Sequence, residues 1–201
     1  VIRIAIILGS TRPGRRVVDV ARWVAEAAGR HPAAVAGEAS LELVDIADYE
    51  LPMLDEPAPA ATGYGYLNAH TKRWAATIDR FDGFVFVTPE YNSAIPAALK
   101  NAIDYLYAEW NDKAAGIVSY GAFGGIRAAE QLRQTMGEIK IADVHAQVAI
   151  SLYHDFDFSD SPLGAVAPGE RHETTLTTML DEVLAWSRAL RVLRTPATAD
   201  K

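Results

Sequence analysis

The chain reads as a three-layer α/β domain: a central five-stranded parallel sheet, strand order 2-1-3-4-5, with helices on both faces. Three observations predict it. Largely apolar, β-branched runs recur at residues 2–8, 83–87 and 116–120, the middle one wholly apolar, as expected of strands buried on both faces. Each run ends in a polar turn, and apolar residues then return at helical spacing. Strands that alternate with helices pair in parallel through right-handed crossovers. The turns after strands one, three and four are the ligand-like ones. The order 2-1-3-4-5 brings these together, because its switch point lies between strands one and three.

The first strand, residues 2–8, leads into Gly9-Ser10-Thr11-Arg12-Pro13-Gly14-Arg15-Arg16. Val17, Val20, Ala21, Val24 and Ala28 then mark an amphipathic helix that Gly29 stops. A turn rich in glycine, hydroxyl and arginine before a helix N-terminus suits an anion. Backbone N–H groups and the helix dipole point at it, and Arg12, Arg15 or Arg16 supplies charge. It lacks the Gly-Lys-Ser/Thr of a nucleotide P-loop and the glycine triplet of a dinucleotide fingerprint. A single phosphate fits it better than a pyrophosphate.

The second strand is expected at residues 41–46. Residues 47–67 form a long loop with Tyr49, Tyr64 and Tyr66, a length that marks a functional or mobile segment. A helix is expected at Asn68–Arg80, with Trp74 and Ile78 facing the core. The third strand, Gly83–Val87, ends in Thr88-Pro89-Glu90-Tyr91-Asn92-Ser93-Ala94-Ile95-Pro96. Pro89 stiffens this loop, which offers an array of backbone donors and acceptors to a flat polar heterocycle. Pro96 suits the first turn of the helix carrying Leu99, Ala102, Ile103 and Leu106.

The fourth strand, residues 116–120, ends in Gly121-Ala122-Phe123-Gly124-Gly125. Its glycines permit close approach of a ligand. Ile126, Ala129, Leu132 and Met136 mark the next helix, residues 144–150 a fifth strand, and Leu176 to Leu190 a closing helix. The acidic run 153–170, with His154, Asp155, Asp157 and Asp160, lacks the spacing of a calcium loop. It reads as a solvated turn, and no metal site is expected. The five histidines show no triad-like context.

Composition narrows the function classes. The 201 residues fit one domain over 1–192 with a tail at 193–201. A net charge of −7 argues against nucleic acid and anionic membranes as partners. The absence of cysteine excludes disulfides, a thiolate nucleophile and cysteine-ligated clusters. No apolar run is long enough to span a membrane, and the N-terminal run lacks a secretory cleavage pattern. A cytoplasmic protein is expected.

The segments Gly9-Ser10-Thr11-Arg12-Pro13-Gly14-Arg15, Pro89-Glu90-Tyr91-Asn92 with Lys100-Asn101-Ala102-Ile103-Asp104, and Ser119-Tyr120-Gly121 with Gly124-Gly125 carry a resemblance. Together they resemble the NAD(P)H-dependent FMN reductase family, which has a flavodoxin-like fold. The resemblance implies noncovalent FMN, with NADPH or NADH as co-substrate and a small-molecule electron acceptor. It implies phosphate contacts at Ser10, Arg12 and the helix start Arg16, Val17 and Val18. Pro89, Glu90, Tyr91, Asn92 and Ser93 would line the isoalloxazine edge, mainly through backbone. Ser119, Tyr120, Gly121 and Gly124 would border the other side. It further implies a homodimer or homotetramer, with the 47–67 loop, Glu90 and Trp110 meeting a neighbouring chain.

The residues agree with such chemistry. One phosphate and one planar ring are what the three turns describe, and a flavin needs no protein nucleophile. The rival reading is a flavodoxin-type electron carrier without turnover of its own. Other users of this architecture fail on residues. A phosphotyrosine phosphatase needs a cysteine in the first turn, and a receiver domain needs paired acids where Gly9 and Ser10 stand.

Overall fold

In the computed structural model, residues 1–162 and 164–194 are described. Five strands, β1 (Ile2–Leu8), β2 (Ala39–Asp45), β3 (Gly83–Pro89), β4 (Lys113–Gly121) and β5 (Ile141–Ser151), form a parallel sheet in the order β2-β1-β3-β4-β5. This is the expected topology. Every residue of β3 and β4 is buried, so both read as continuous apolar runs rather than alternating ones.

Strand side chains point alternately to the two faces, and that alternation divides the core. Ala5, Ile7, Phe84 and Phe86 pack with α3 (Ala69–Asp79), α4 (Ala97–Asp104) and α5 (Ile126–Glu138). Ile4, Ile6, Val85 and Val87 pack with α1 (Val17–Gly29) and α6 (Glu170–Arg194). A one-turn helix, α2 (Pro32–Val35), joins α1 to β2.

Several boundaries differ from the sequence reading, each for a physical reason. β4 begins three residues earlier than expected, at Lys113. Lysine argues against a buried strand, but its Nζ donates to the carbonyls of Ile78 (3.0 Å) and Asp79 (3.2 Å) where α3 ends. β2 begins at Ala39 and stops at Asp45, with Ile46 already in a 3-10 turn. Pro96 caps α4 from outside in an extended conformation rather than opening its first turn.

The run 153–170 is not a solvated turn throughout. It holds a hairpin of β6 (Phe156–Asp157) and β7 (Ala165–Val166). At its base, buried Asp155 pairs with buried His172 at 3.0 Å and accepts the Ser151 N–H at 2.7 Å. Trp110 is fully buried among Trp74, Phe84 and Phe86, so it cannot meet a neighbouring chain as expected. The closing helix runs to Arg194, past the expected boundary at 192. The rest of the tail, 195–201, lies outside the described residues.

Candidate functional site

The carboxyl ends of β1, β3 and β4 place three turns side by side. The first turn is organised from within. Buried Ser10 lies with its hydroxyl 3.1 Å from the Tyr91 hydroxyl and accepts the Arg12 N–H at 3.4 Å. Arg15 donates to the Ser10 carbonyl at 2.7 Å and pairs with Asp45 at the end of β2, so its charge is committed to holding the turn. Arg12 is exposed, and its guanidinium has no ion-pair partner among the described residues. Arg16 occupies the N-cap of α1 without a side-chain cap bond. The N–H groups of Val17 and Val18 therefore open the helix with no acceptor inside it. Val17 and Val18 turn their side chains to the core, so only their backbone faces the edge.

The second turn is a tight reversal. Tyr91 and Ala94 exchange both backbone hydrogen bonds, at 2.9 and 3.1 Å, across Asn92 (φ 52°) and Ser93 (φ 65°). Two consecutive left-handed residues match the two-residue turn whose twist suits an antiparallel pair. The side chains of Asn92 and Ser93 stand exposed at its tip. Glu90 points away from that tip. Its carboxylate accepts the N–H groups of Arg127 (3.0 Å) and Ala128 (3.3 Å) and so caps α5. Its own N–H donates to the Tyr120 carbonyl at 3.0 Å, tying the second turn to the third.

In the third turn, Ser119 is fully buried and donates to the Gly124 carbonyl at 2.7 Å. A Cβ at Gly125, where φ is +70°, would fall 2.8 Å from the Tyr120 nitrogen and 2.9 Å from its oxygen. Only glycine fits there. The Gly121 carbonyl accepts from Gly124 (3.1 Å) and from Leu152 (2.9 Å) at the end of β5. Burial raises the pKa of Tyr120, and the neighbouring Tyr91 phenol adds to the effect. Its hydroxyl stays protonated across the physiological range.

The turns enclose a cleft of about 320 Å³, within the range of small-ligand sites. Of the expected residues, Arg12, Arg16, Pro89, Glu90, Tyr91, Tyr120 and Gly121 line it. Ser10, Val17, Val18, Asn92, Ser93, Ser119 and Gly124 are not among its lining residues; Ser10 touches the lining Tyr91 through its hydroxyl, and Ser119 is bonded to Gly124 inside the third turn. Gly14, Arg15 and Leu152 also line the cleft. Leu152 escaped the sequence reading because it falls just past the fifth strand, although that position lies at the same edge. A neighbouring hollow of about 290 Å³ between Thr11, Leu51 and α4 has no cationic lining, so it does not suit an anion. Among the described residues no His, Asp and Glu group is arranged to hold a metal.

The chain is similar to known proteins over most of its length. Residues 2–155 match the family described as NADPH-dependent FMN reductase. An NAD(P)H-dependent FMN reductase of Schizosaccharomyces pombe is 42% identical over 154 residues, covering 76% of this chain and 74% of that protein. A quinone reductase of Pseudomonas putida is 34% identical over 168 residues, 76% of this chain and 81% of the relative. A solved flavoenzyme NAD(P)H:(acceptor) oxidoreductase from Paracoccus denitrificans superposes with a TM-score of 0.70 at 20% identity, over 94% of this chain and 98% of that one. At that identity the likeness speaks for the fold. The sequence matches carry the family, and this chain belongs to the NADPH-dependent FMN reductases.

Proposed function

We infer that the cleft is the FMN site of an NAD(P)H-dependent oxidoreductase. The observation that carries this reading is local cationic charge in an acidic chain. Arg12, Arg16 and an uncapped helix start converge on one cleft in a protein of net charge −7, while Arg15 there is already paired with Asp45. Those donors suit a dianionic phosphate, and the rim that Pro89, Glu90, Tyr91, Tyr120 and Gly121 give the cleft suits the edge of a planar ring. When bound, FMN supplies the redox chemistry, hydride uptake from NAD(P)H and delivery of electrons to an acceptor.

The chain's own residues bind, orient and shield. Arg12, Arg16 and the N–H groups of Val17 and Val18 hold the phosphate, with Ser10 setting the shape of the turn. The backbone of Pro89 to Ser93 borders the ring on one side, and Tyr120 and Gly121 on the other. Ser119 and Gly124 act by keeping that second wall in place. Glu90 fixes the position of the ring-binding turn against α5. Buried Tyr120, with Leu152, keeps water from the floor of the cleft.

The acceptor is a small molecule, and the quinone reductases among the relatives favour a quinone. No helix among the described residues is long and apolar enough to cross a membrane. We further infer a cytoplasmic homodimer or homotetramer. Met53 (76% exposed), Tyr64 (84%) and Leu67 (68%) on the 47–67 loop favour a covered surface there. The experiment is to saturate the protein with FMN and follow NADPH oxidation with a quinone present. Turnover of many equivalents per flavin supports the enzyme. Negligible NADPH oxidation would instead identify an electron carrier.

A further inference from the structure

We propose that the β6–β7 hairpin is a positioning element for the phosphate-binding arginine: Phe156 and Phe158 hold the Arg16 guanidinium at the cleft and so set the preference for FMN over riboflavin. This rests on Arg16 meeting the phosphate, as argued above. The hairpin lies beyond residue 155, where the family match ends.

The geometry is continuous from the core to the cleft. Phe156 and Phe158 are two residues apart on an extended segment, and such side chains share a face. Their ring centroids are 6.2 Å apart. The Arg16 guanidinium lies 6.0 Å from the first centroid and 5.7 Å from the second, within cation–π range of both. It also donates to the Pro162 carbonyl of the same hairpin at 3.4 Å. The same arginine lines the cleft, so the hairpin governs a side chain that faces the ligand.

The rings are themselves held. Phe156 is buried, whereas Phe158 is 45% exposed and rests on the backbone of Gly164. A Cβ at Gly164 would lie 2.7 Å from the Phe158 ring, and its φ is +72°. The hairpin is anchored in turn through Asp155, whose carbonyl accepts the Ala167 N–H at 2.8 Å. Its carboxylate is locked to His172 at 3.0 Å. An arginine so placed is already ordered before the anion arrives, which spares part of the entropy of fixing a long side chain. Riboflavin has no phosphate and gains nothing from that order.

The test titrates FMN and riboflavin separately into the full chain and its variants, reading flavin fluorescence. Arg16→Ala should lower FMN affinity by about tenfold or more and leave riboflavin unchanged. Phe158→Leu should lower FMN affinity by about 2- to 5-fold, again without moving riboflavin. Phe158→Tyr, which keeps a ring face, should restore FMN binding, and Phe158→Leu should add nothing in the Arg16→Ala background. Equal loss of both flavins in Phe158→Leu would make the hairpin a wall and overturn the proposal. So would unchanged FMN affinity in that variant while Arg16→Ala still weakens it, an outcome that leaves the phosphate reading intact. An unchanged FMN-to-riboflavin ratio in Arg16→Ala would overturn the phosphate role of Arg16 and the proposal with it.

Discussion

Three arginines within five residues have three different fates. Arg15 is bound to Asp45 and the Ser10 carbonyl, Arg16 lies against two aromatic rings, and Arg12 projects from the turn. Arg12→Ala should therefore weaken FMN binding by about 1–3 kcal/mol through loss of a charge-assisted contact. Because Arg12 is exposed, stability should shift by no more than about 0.5 kcal/mol. A flavin titration beside a urea melt separates the two, and unchanged affinity removes Arg12 from the site. Lys113 makes a different residue-scale case. Burial lowers its pKa from 10.5 to about 8, partly offset by Asp79. Between those values the unfolded chain binds more protons at this group than the folded one, so its contribution makes stability rise with pH. Lys113→Met removes that slope. In urea melts the wild type should gain on the variant as pH is raised from 8 toward 10.5, and the opposite trend would show that the ammonium is not penalised in the fold.

At the scale of elements, the turns hold their shape through backbone geometry. Ser93, at φ 65°, carries a Cβ in a conformation that costs about 1 kcal/mol for an L-residue. Ser93→Gly should raise stability by up to that amount in urea unfolding. Since this residue is proposed to serve the ring through its backbone, FMN affinity should stay close to wild type. The third turn offers the converse. Gly125→Ala forces a methyl against the Tyr120 backbone and should cost about 1–3 kcal/mol, displacing the wall that Gly121 contributes. A variant with unaltered stability and flavin affinity would mean that the turn relaxes without loss.

Across the molecule, the two faces of the sheet carry different loads. One is filled by an aromatic group in which Trp110 lies 5.0 Å from Phe84 and 6.0 Å from Phe86, between ring centroids. Its indole N–H donates to the Ile103 carbonyl at 3.1 Å. Trp110→Ala should cost about 3–5 kcal/mol without changing the subunit number measured by light scattering. Dissociation without loss of stability would return Trp110 to an interface. The 47–67 loop is strapped to the same side. Asn101 bridges the Pro52 carbonyl (2.6 Å) and the Leu54 N–H (2.9 Å), and Tyr105 donates to Asp55 at 2.9 Å. The burial of Tyr105 and its bond to Asp55 push that phenol's pKa up to about 12, so the strap persists through neutral pH. A mobile connection was one expectation for a loop of this length, and α4 is what orders it.

Local pattern sufficed for the sheet, its strand order and the edge that carries the site. Burial on both faces writes continuous apolar runs into β1, β3 and β4, helices write a period near four, and glycine or proline marks the turns between them. Those signals act over a few residues, so a linear reading captures them. Partners distant in the chain decided the rest. Asp45 took Arg15, the hairpin took Arg16, α5 took the Glu90 carboxylate, and Asp155 found His172. A polar side chain at a strand end faces cleft, core or neighbour according to which element packs beside it. That choice is made by long-range contacts, and no spacing of residues encodes it.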